Sequence, residues 1–175
     1  MPNPMIFITS GAKGSGKTTF QHQIAKQLQQ KGIQIGGFLA FHDFQKDSYS
    51  IYNIETEKIL KLSQRKPESE NSDDPFHFNP HAIMQGRRWI TNILNETPDL
   101  VIIDEIGIYE LNGMVWYDEF TRLCNSSIPL LFSTNIYWLP MIQKKWDINP
   151  AYIFYPENFK YPKQAADQIF KWLPH

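Results

Sequence analysis

The sequence predicts an α/β fold, a mostly parallel sheet flanked by helices with one β-hairpin excursion, on three observations. An apolar, β-branched segment at Met5-Ile6-Phe7-Ile8-Thr9 runs into a glycine-rich turn and then into a helical period. A second apolar strand, Ile33 to Phe41, follows that helix at once. Strand and helix signals then keep alternating to the end of the 175 residues. Strand, helix, strand in that order calls for a parallel sheet joined by helical crossovers.

The first helix begins at Thr18, where Phe20, Ile24 and Leu28 recur every four residues among Gln and Lys, and Gly32 stands where it would stop. Gly36-Gly37 in the second strand marks a bulge or a close backbone approach. From Ser48 to Leu62 apolar residues alternate around a turn at Glu55-Thr56-Glu57, as in a hairpin leaving the main sheet. Arg65 to Asp74 holds many charges and no aliphatic residue, and reads as a mobile surface loop. Asn79-Pro80 has the form of an N-cap followed by Pro in the first turn, opening a helix through Ile83, Ile90 and Leu94. Strands at Leu100 to Ile103, Pro129 to Ser133 and Ala151 to Tyr155, and helices at Trp116 to Leu123 and Pro162 to Trp172, complete the alternation. The organisation is a single domain over 1–175, with 42–78 as an insertion of hairpin and charged loop.

Composition narrows the function. Seventeen Lys and Arg against 18 Asp and Glu give a net charge of -1, which lacks the basic excess of a nonspecific nucleic-acid binder, so nucleic acid is an unlikely partner. No apolar run approaches the roughly 20 residues of a membrane span. One cysteine, Cys124, supports neither a disulfide framework nor a thiolate zinc site and reads as a small buried hydrophobe. With a start that lacks a basic signal region, the chain reads as cytoplasmic.

Gly11-Ala12-Lys13-Gly14-Ser15-Gly16-Lys17-Thr18 matches G-x-x-x-x-G-K-[ST] at every fixed position, between a strand and a helix, with Thr19 following inside the helix. Glycines allow backbone N–H groups to turn inward around a β-phosphate, and the helix presents its positive N-terminus. Lys17 supplies a point charge for the β- and γ-oxygens, and the Thr18 hydroxyl is placed to ligate Mg²⁺. The implied substrate is ATP or another nucleoside triphosphate. Lys13 invites comparison with a second signature lysine, but it stands one residue too late and reads as solvated.

A second site lies at Asp104-Glu105, where an apolar strand ends in two carboxylates. Chemistry in open parallel sheets gathers at the carboxyl ends of strands, so Asp104 is expected to face the Lys17-Thr18 end of the neighbouring strand and hold Mg²⁺. Glu105 is placed to orient a water or accept its proton. Asp104-Glu105-Ile106-Gly107 also fits D-x-x-G, yet no N-K-x-D follows, which disfavours a guanine-specific switch.

Gly11 to Thr19, Gly37-Phe38 and above all Asp104-Glu105-Ile106-Gly107-Ile108-Tyr109-Glu110-Leu111 resemble the THEP1-type, or cancer-related, nucleoside-triphosphatases of the P-loop NTPase superfamily, whose hallmark reads D-E-I-G-x-M-E-L. The resemblance implies a RecA-like or kinase-like P-loop domain that hydrolyses several NTPs with Mg²⁺, slowly and without strict base choice. It also implies Lys17 and Thr18 on phosphate and metal, Asp104 on the metal and Glu105 on the lytic water. Tyr109 replaces the hallmark Met, and Asn158 is followed by Phe159 where the family tends to carry Asn-Arg after a strand, so Asn158 is a candidate without its companion cation.

Among clustered cations, Arg87-Arg88, Arg65-Lys66 and Lys144-Lys145, Arg87 is the candidate to reach a γ-phosphate; a solvated face is the competing reading. Tyr137, Trp138 and Trp146 suit either a lid or core packing. His77 and His81 lie four apart, but Pro80 between them forbids a shared helical face for a metal. Hydrolysis is the expected reaction. A small-molecule or nucleoside kinase, with the hairpin and charged loop covering an acceptor pocket, is the first alternative, and a non-catalytic nucleotide-sensing adaptor is the second.

Overall fold

A computed structural model describes residues 4–70 and 72–174. Strand β1 (Ile6–Gly11) leads through the glycine loop into helix α1 (Lys17–Gln30), and β2 (Ile35–Asp43) returns beside β6 (Leu100–Ile103). Between them lie β3 (Ser48–Asn53), β4 (Ile59–Arg65), β5 (Phe76–Phe78) and α2 (Pro80–Glu96). After β6 come α3 (Ile108–Leu111), α4 (Tyr117–Cys124), β7 (Leu130–Asn135) and α5 (Leu139–Lys145). Strand β8 (Tyr152–Phe154), a 3₁₀ turn at Pro156–Asn158 and α6 (Pro162–Trp172) close the chain. One sheet runs in the order β5-β4-β3-β2-β6-β7-β1-β8, parallel from β2 to β8 and antiparallel from β2 to β5.

Two apolar layers cover the sheet. On one face Phe20, Ile24 and Leu28 of α1 and Ala165, Ala166 and Ile169 of α6 pack with Phe7, Leu131 and Phe154. On the other, Trp89, Ile90 and Ile93 of α2 and Phe120 and Leu123 of α4 pack with Phe38, Ile103 and Phe132. The parallel strands are therefore buried on both sides, which explains why they read as unbroken apolar runs rather than alternating ones. The expected caps form: the Asn79 side chain accepts the His81 N–H at 3.1 Å with Pro80 in the first turn of α2, and the Gly32 N–H closes α1 on Gln29 O. Gly37 is the close approach. Its φ is +115°, and a Cβ there would overlap the Ile102 carbonyl of β6, coming within 2.8 Å of its carbon.

Two expectations about arrangement are corrected. The hairpin of β3 and β4 does not leave the sheet: β3 pairs with β2 itself from Phe38↔Asn53 to Asp43↔Ser48, so the wing extends the main sheet at its edge. The turn does lie at residues 54–58, where Asn53 Oδ1 accepts the N–H groups of Glu55 and Thr56. Asp104 also does not sit on a strand next to β1. Strand β7 stands between β6 and β1, because β6 pairs with β2 on one side and β7 on the other. Within the charged segment the Lys66 N–H donates to Pro75 O at 2.8 Å and Asp74 Oδ1 accepts from the Tyr109 hydroxyl at 3.0 Å, so Asp74 is tied to α3.

Candidate functional site

The glycine loop joins the carboxyl end of β1 to the amino end of α1. Gly14 and Gly16 hold left-handed φ values of +78° and +84°, which a larger side chain adopts only with strain. A Cβ at Gly11 would collide with the Ser15 side chain. The loop is closed by the Ser15 N–H on Ala12 O at 3.2 Å, and the helix starts with the Phe20 N–H on Gly16 O at 2.9 Å. Lys17 is buried, its Nζ donating to Ala12 O at 3.0 Å and Gly11 O at 3.3 Å. Two neutral carbonyls thus hold the ammonium over the loop, and phosphate oxygens are stronger partners for it. The Ser15 hydroxyl is buried there with no hydrogen-bond partner among the described residues. An orphaned donor in a concave loop of N–H groups fits an anion.

The acids lie across the rim. Asp104 is fully buried, and its Oδ2 accepts the Ala40 N–H at 3.0 Å. Its Oδ1 accepts from the Ser133 hydroxyl of β7, and the Gln21 amide, with nitrogen turned toward it, donates at 3.2 Å. β7 therefore bridges rather than separates the two ends: Ser133 ties the tip of β6 to the strand beside β1. The Thr18 hydroxyl reaches Ala40 O at 3.4 Å and is also a hydrogen-bond partner of Asp104. Burial pushes the Asp104 pKa upward, opposed by the Ser133, Thr18 and Ala40 donors and by the Lys17 charge. Hard oxygens from Thr18 and Asp104 at one point suit Mg²⁺, which takes a carboxylate, water and phosphate oxygens rather than a cage built wholly of protein. Among the described residues no group of three or more His, Cys, Asp or Glu forms such a cage.

Glu105 has a φ of +63°, a left-handed conformation that costs a non-glycine residue about 1 kcal/mol or more. Its N–H donates to Ser133 Oγ at 2.9 Å, so the same hydroxyl anchors both acids. The carboxylate opens to a cleft but has protein around it. Desolvation first, then the Asp104 charge, pushes its pKa up to about 7 against Lys17 and Lys13. Glu110 of α3 is buried and accepts the Gly107 N–H at 2.9 Å and the Trp116 N–H at 3.3 Å, and burial likewise pushes it up to about 7.

Two clefts meet at Glu105. One, of about 310 Å³, runs over the glycine loop past Thr18, Thr19, His42 and Phe44. The other, of about 190 Å³, lies toward the wing and is walled by Tyr49, Phe76, Phe78, Tyr109, Trp116 and Trp138. Both share Lys13, Lys17, Ala40 and Tyr49.

The sequence candidates divide accordingly. Gly11 to Thr19, Asp104 and Glu105 are brought to one rim. Lys13 is exposed on that rim, as a solvated lysine would be. Arg87 stands elsewhere: its Nε and Nη2 donate to Val115 O at 3.0 and 2.9 Å, and Glu119 lies 3.6 Å away, so the guanidinium ties α2 to α4. Asn158 is exposed in the 3₁₀ turn. Its neighbour Glu157 reaches within 3.9 Å of where a Gly11 Cβ would stand, so an acid and not a cation borders the loop there. Trp146 packs on Phe120 and donates to Thr121 Oγ1 at 2.8 Å, and Tyr137 is exposed, while Trp138 lines the wing cleft. Cys124 is buried, its thiol pushed up to about 12 by desolvation. His77 pairs with Glu70 at 2.9 Å.

Sequence reasoning missed Ser133, Gln21, Tyr49 and the aromatic cleft. Ser133 carried a signal only in its place at the end of a strand; the strand order gives it meaning.

Known proteins resemble this chain in sequence and in fold. The chain is 28% identical over 152 residues to the nucleoside-triphosphatase THEP1 of Methanocaldococcus jannaschii, covering 82% of this chain and 85% of that one. It is 26% identical over 124 residues to the nucleoside-triphosphatase THEP1 of Caldivirga maquilingensis, covering 69% of each. Its fold matches the crystal structure of THEP1 from Aquifex aeolicus with a TM-score of 0.73 at 19% identity, covering 98% and 100% of the two chains. It matches the solution structure of a human cancer-related nucleoside triphosphatase with a TM-score of 0.66 at 16% identity, covering 97% and 96%. Residues 5–149 match the model of the NTPase family, and the chain belongs to that family.

Proposed function

We propose that this chain binds a nucleoside triphosphate with its polyphosphate in the Gly11–Thr19 cradle and Mg²⁺ between Thr18 and Asp104, and hydrolyses it to the diphosphate and phosphate. The observation that carries the reading is convergence. A glycine loop, the Lys17 ammonium, the Thr18 hydroxyl and the Asp104-Glu105 pair meet at one rim although they come from two segments far apart in sequence. When bound, Mg²⁺ neutralises charge on the β- and γ-oxygens.

The chain's own groups do the rest. Lys17 leaves the Ala12 and Gly11 carbonyls for phosphate oxygens and stabilises the charge that develops as the γ-phosphoryl departs. The loop N–H groups and the Ser15 hydroxyl hold the β-phosphate. Glu105, facing the cleft at the γ-phosphate end, orients water and receives its proton. The Glu105 carboxylate is exposed to the cleft, where it can accept the proton of that water. Its left-handed backbone, fixed by the N–H bond to Ser133, aims the side chain away from the strand.

Turnover is slow, on the order of 10⁻² s⁻¹ or below, because Arg87, the candidate to serve the γ-phosphate, is held by Val115 and Glu119. Base choice is loose. The unit is a single domain over 1–175 with the wing as part of it, and the lone buried Cys124 suits a cytoplasmic, reducing setting.

Steady-state phosphate release with Mg·ATP and Mg·GTP tests the reading. Lys17→Ala is expected to lower kcat/KM by roughly a hundredfold or more. Equal rates for Lys17→Ala and the wild type would end it.

A further inference from the structure

Beyond Lys17 and Asp104 the wing cleft runs on past the residues that would hold the triphosphate, and it opens onto the carboxylate at the γ-phosphate end. Its walls come from four places. Tyr49, Leu62 and Ser63 belong to β3 and β4, Phe76 and Phe78 to β5, Tyr109 to α3, and Trp116 and Trp138 to the helix entries beyond. The rings are held in place. Phe78 meets Tyr109 edge-on at 4.8 Å, Phe76 meets Tyr49 edge-on at 5.7 Å, and the Tyr109 hydroxyl is fixed on Asp74 at 3.0 Å. Water hydrolysis needs none of this: a pocket of aromatic faces with a few polar groups is what a flat organic ring needs.

Charge narrows the occupant. The cations in the lining, Lys13 and Lys17, stand at the end shared with the phosphate cleft, and the far end holds Glu110 and no cation. A second phosphorylated molecule would set its charge against Glu110, whereas an uncharged ring with a hydroxyl arm brings no charge to that acid and meets aromatic and aliphatic faces with Ser63 and Asn135 beside them.

We propose that the wing cleft seats a phosphoryl acceptor, an uncharged nucleoside, with its ring among Tyr49, Phe78, Tyr109 and Trp138 and its hydroxyl directed past Glu105 to the γ-phosphate. This rests on the nucleotide reading above, since donor and carboxylate are the same. The acceptor oxygen forms a bond to the γ-phosphorus while the bond from that phosphorus to the β-bridging oxygen breaks. The electron pair leaves with the nucleoside diphosphate, and the hydroxyl proton passes to the Glu105 carboxylate and on to bulk water. The products are a nucleoside monophosphate and a nucleoside diphosphate, with water as the competing acceptor when the cleft is empty.

The test uses the full chain with Mg²⁺ and γ-labelled ATP, alone, with uridine, cytidine, thymidine, adenosine or guanosine, and in a separate arm with uridine monophosphate, resolving labelled phosphate from labelled nucleotide. The expected result is label in the monophosphate of at least one nucleoside, at a rate roughly tenfold or more above phosphate release without it. In Phe78→Ala and Tyr109→Phe the nucleoside KM is expected to rise, by roughly tenfold in Phe78→Ala, while the ATP KM moves less than about twofold. Label only in phosphate with every nucleoside, phosphate release being intact without them, overturns the acceptor site and leaves hydrolysis standing. Absence of phosphate release in every arm overturns the nucleotide reading itself. Transfer to uridine monophosphate in preference to uridine, or an ATP KM that rises in step with the nucleoside KM, overturns the assignment of an uncharged acceptor to this cleft.

Discussion

Asp104→Asn separates what Asp104 does for nucleotide from what it does for the fold. In the free protein the carboxylate is fully buried, and burial disfavours its charge. An Asn oxygen can still accept the Ala40 N–H, now 3.0 Å from Oδ2, and its amide can donate to the Ser133 oxygen on the other side. Losing a buried charge while keeping the Ala40 and Ser133 bonds leaves stability within about 1 kcal/mol of wild type or above it. The ligand response moves the other way. At a hundredfold excess over Kd, Mg·ATP adds about 2.7 kcal/mol to wild type. For a chain of 175 residues that is a rise in Tm of about 5–10 °C. An amide is a far poorer Mg²⁺ partner than a carboxylate, so most of that rise disappears in Asp104→Asn. Differential scanning fluorimetry with and without Mg²⁺, at fixed ATP, reads both effects. A variant that melts far below wild type when free, yet keeps the full Mg²⁺-dependent rise, would refute the placing of Asp104 at the metal.

Three further outcomes are expected. Glu105→Gln is expected to lower kcat by about 10²- to 10³-fold with little change in ATP KM, and a loss under about threefold counts against a proton-accepting role. Glu110 has a folded pKa near 7 against an ordinary 4.5, so the stability it contributes is fully present below about pH 4.5 and is lost as pH rises through 7. Urea unfolding should therefore show wild type losing up to about 3 kcal/mol from this group between pH 5 and 8, a loss that Glu110→Ala lacks; parallel pH profiles would contradict it. Gly37→Ala places a Cβ against the Ile102 carbonyl at a φ of +115°, and a cost above about 3 kcal/mol is expected in the same assay.

Much of the fold was legible in the sequence because its longer elements carry strong local signals. The Phe20-Ile24-Leu28 period marked α1, the Asn79-Pro80 cap marked α2, and Pro162 to Trp172 is the span of α6. The short elements were not legible. Helix α3 has four residues, β5 has three, and α5 opens with Leu139-Pro140 after two aromatics. Elements of that length hold their shape by packing, not by propensity. Strand order was also hidden. Alternation of strands and helices does not say that β7 enters between β6 and β1, so the Ser133 bridge to Asp104 and Glu105 could not be foreseen. The glycine loop between β1 and α1 was legible because its spacing is local in the sequence. The wing cleft was not, because Tyr49, Phe78, Tyr109 and Trp138 are far apart in sequence and each reads singly as core.

The grip of the Gly11–Thr19 loop on a polyphosphate is the claim on which the rest depends. Isothermal titration of the full chain with a non-hydrolysable ATP analogue and Mg²⁺ tests it most directly. One equivalent is expected to bind with a clear heat that Lys17→Ala largely abolishes. No heat in the wild type, or the same heat in both proteins, would contradict the account.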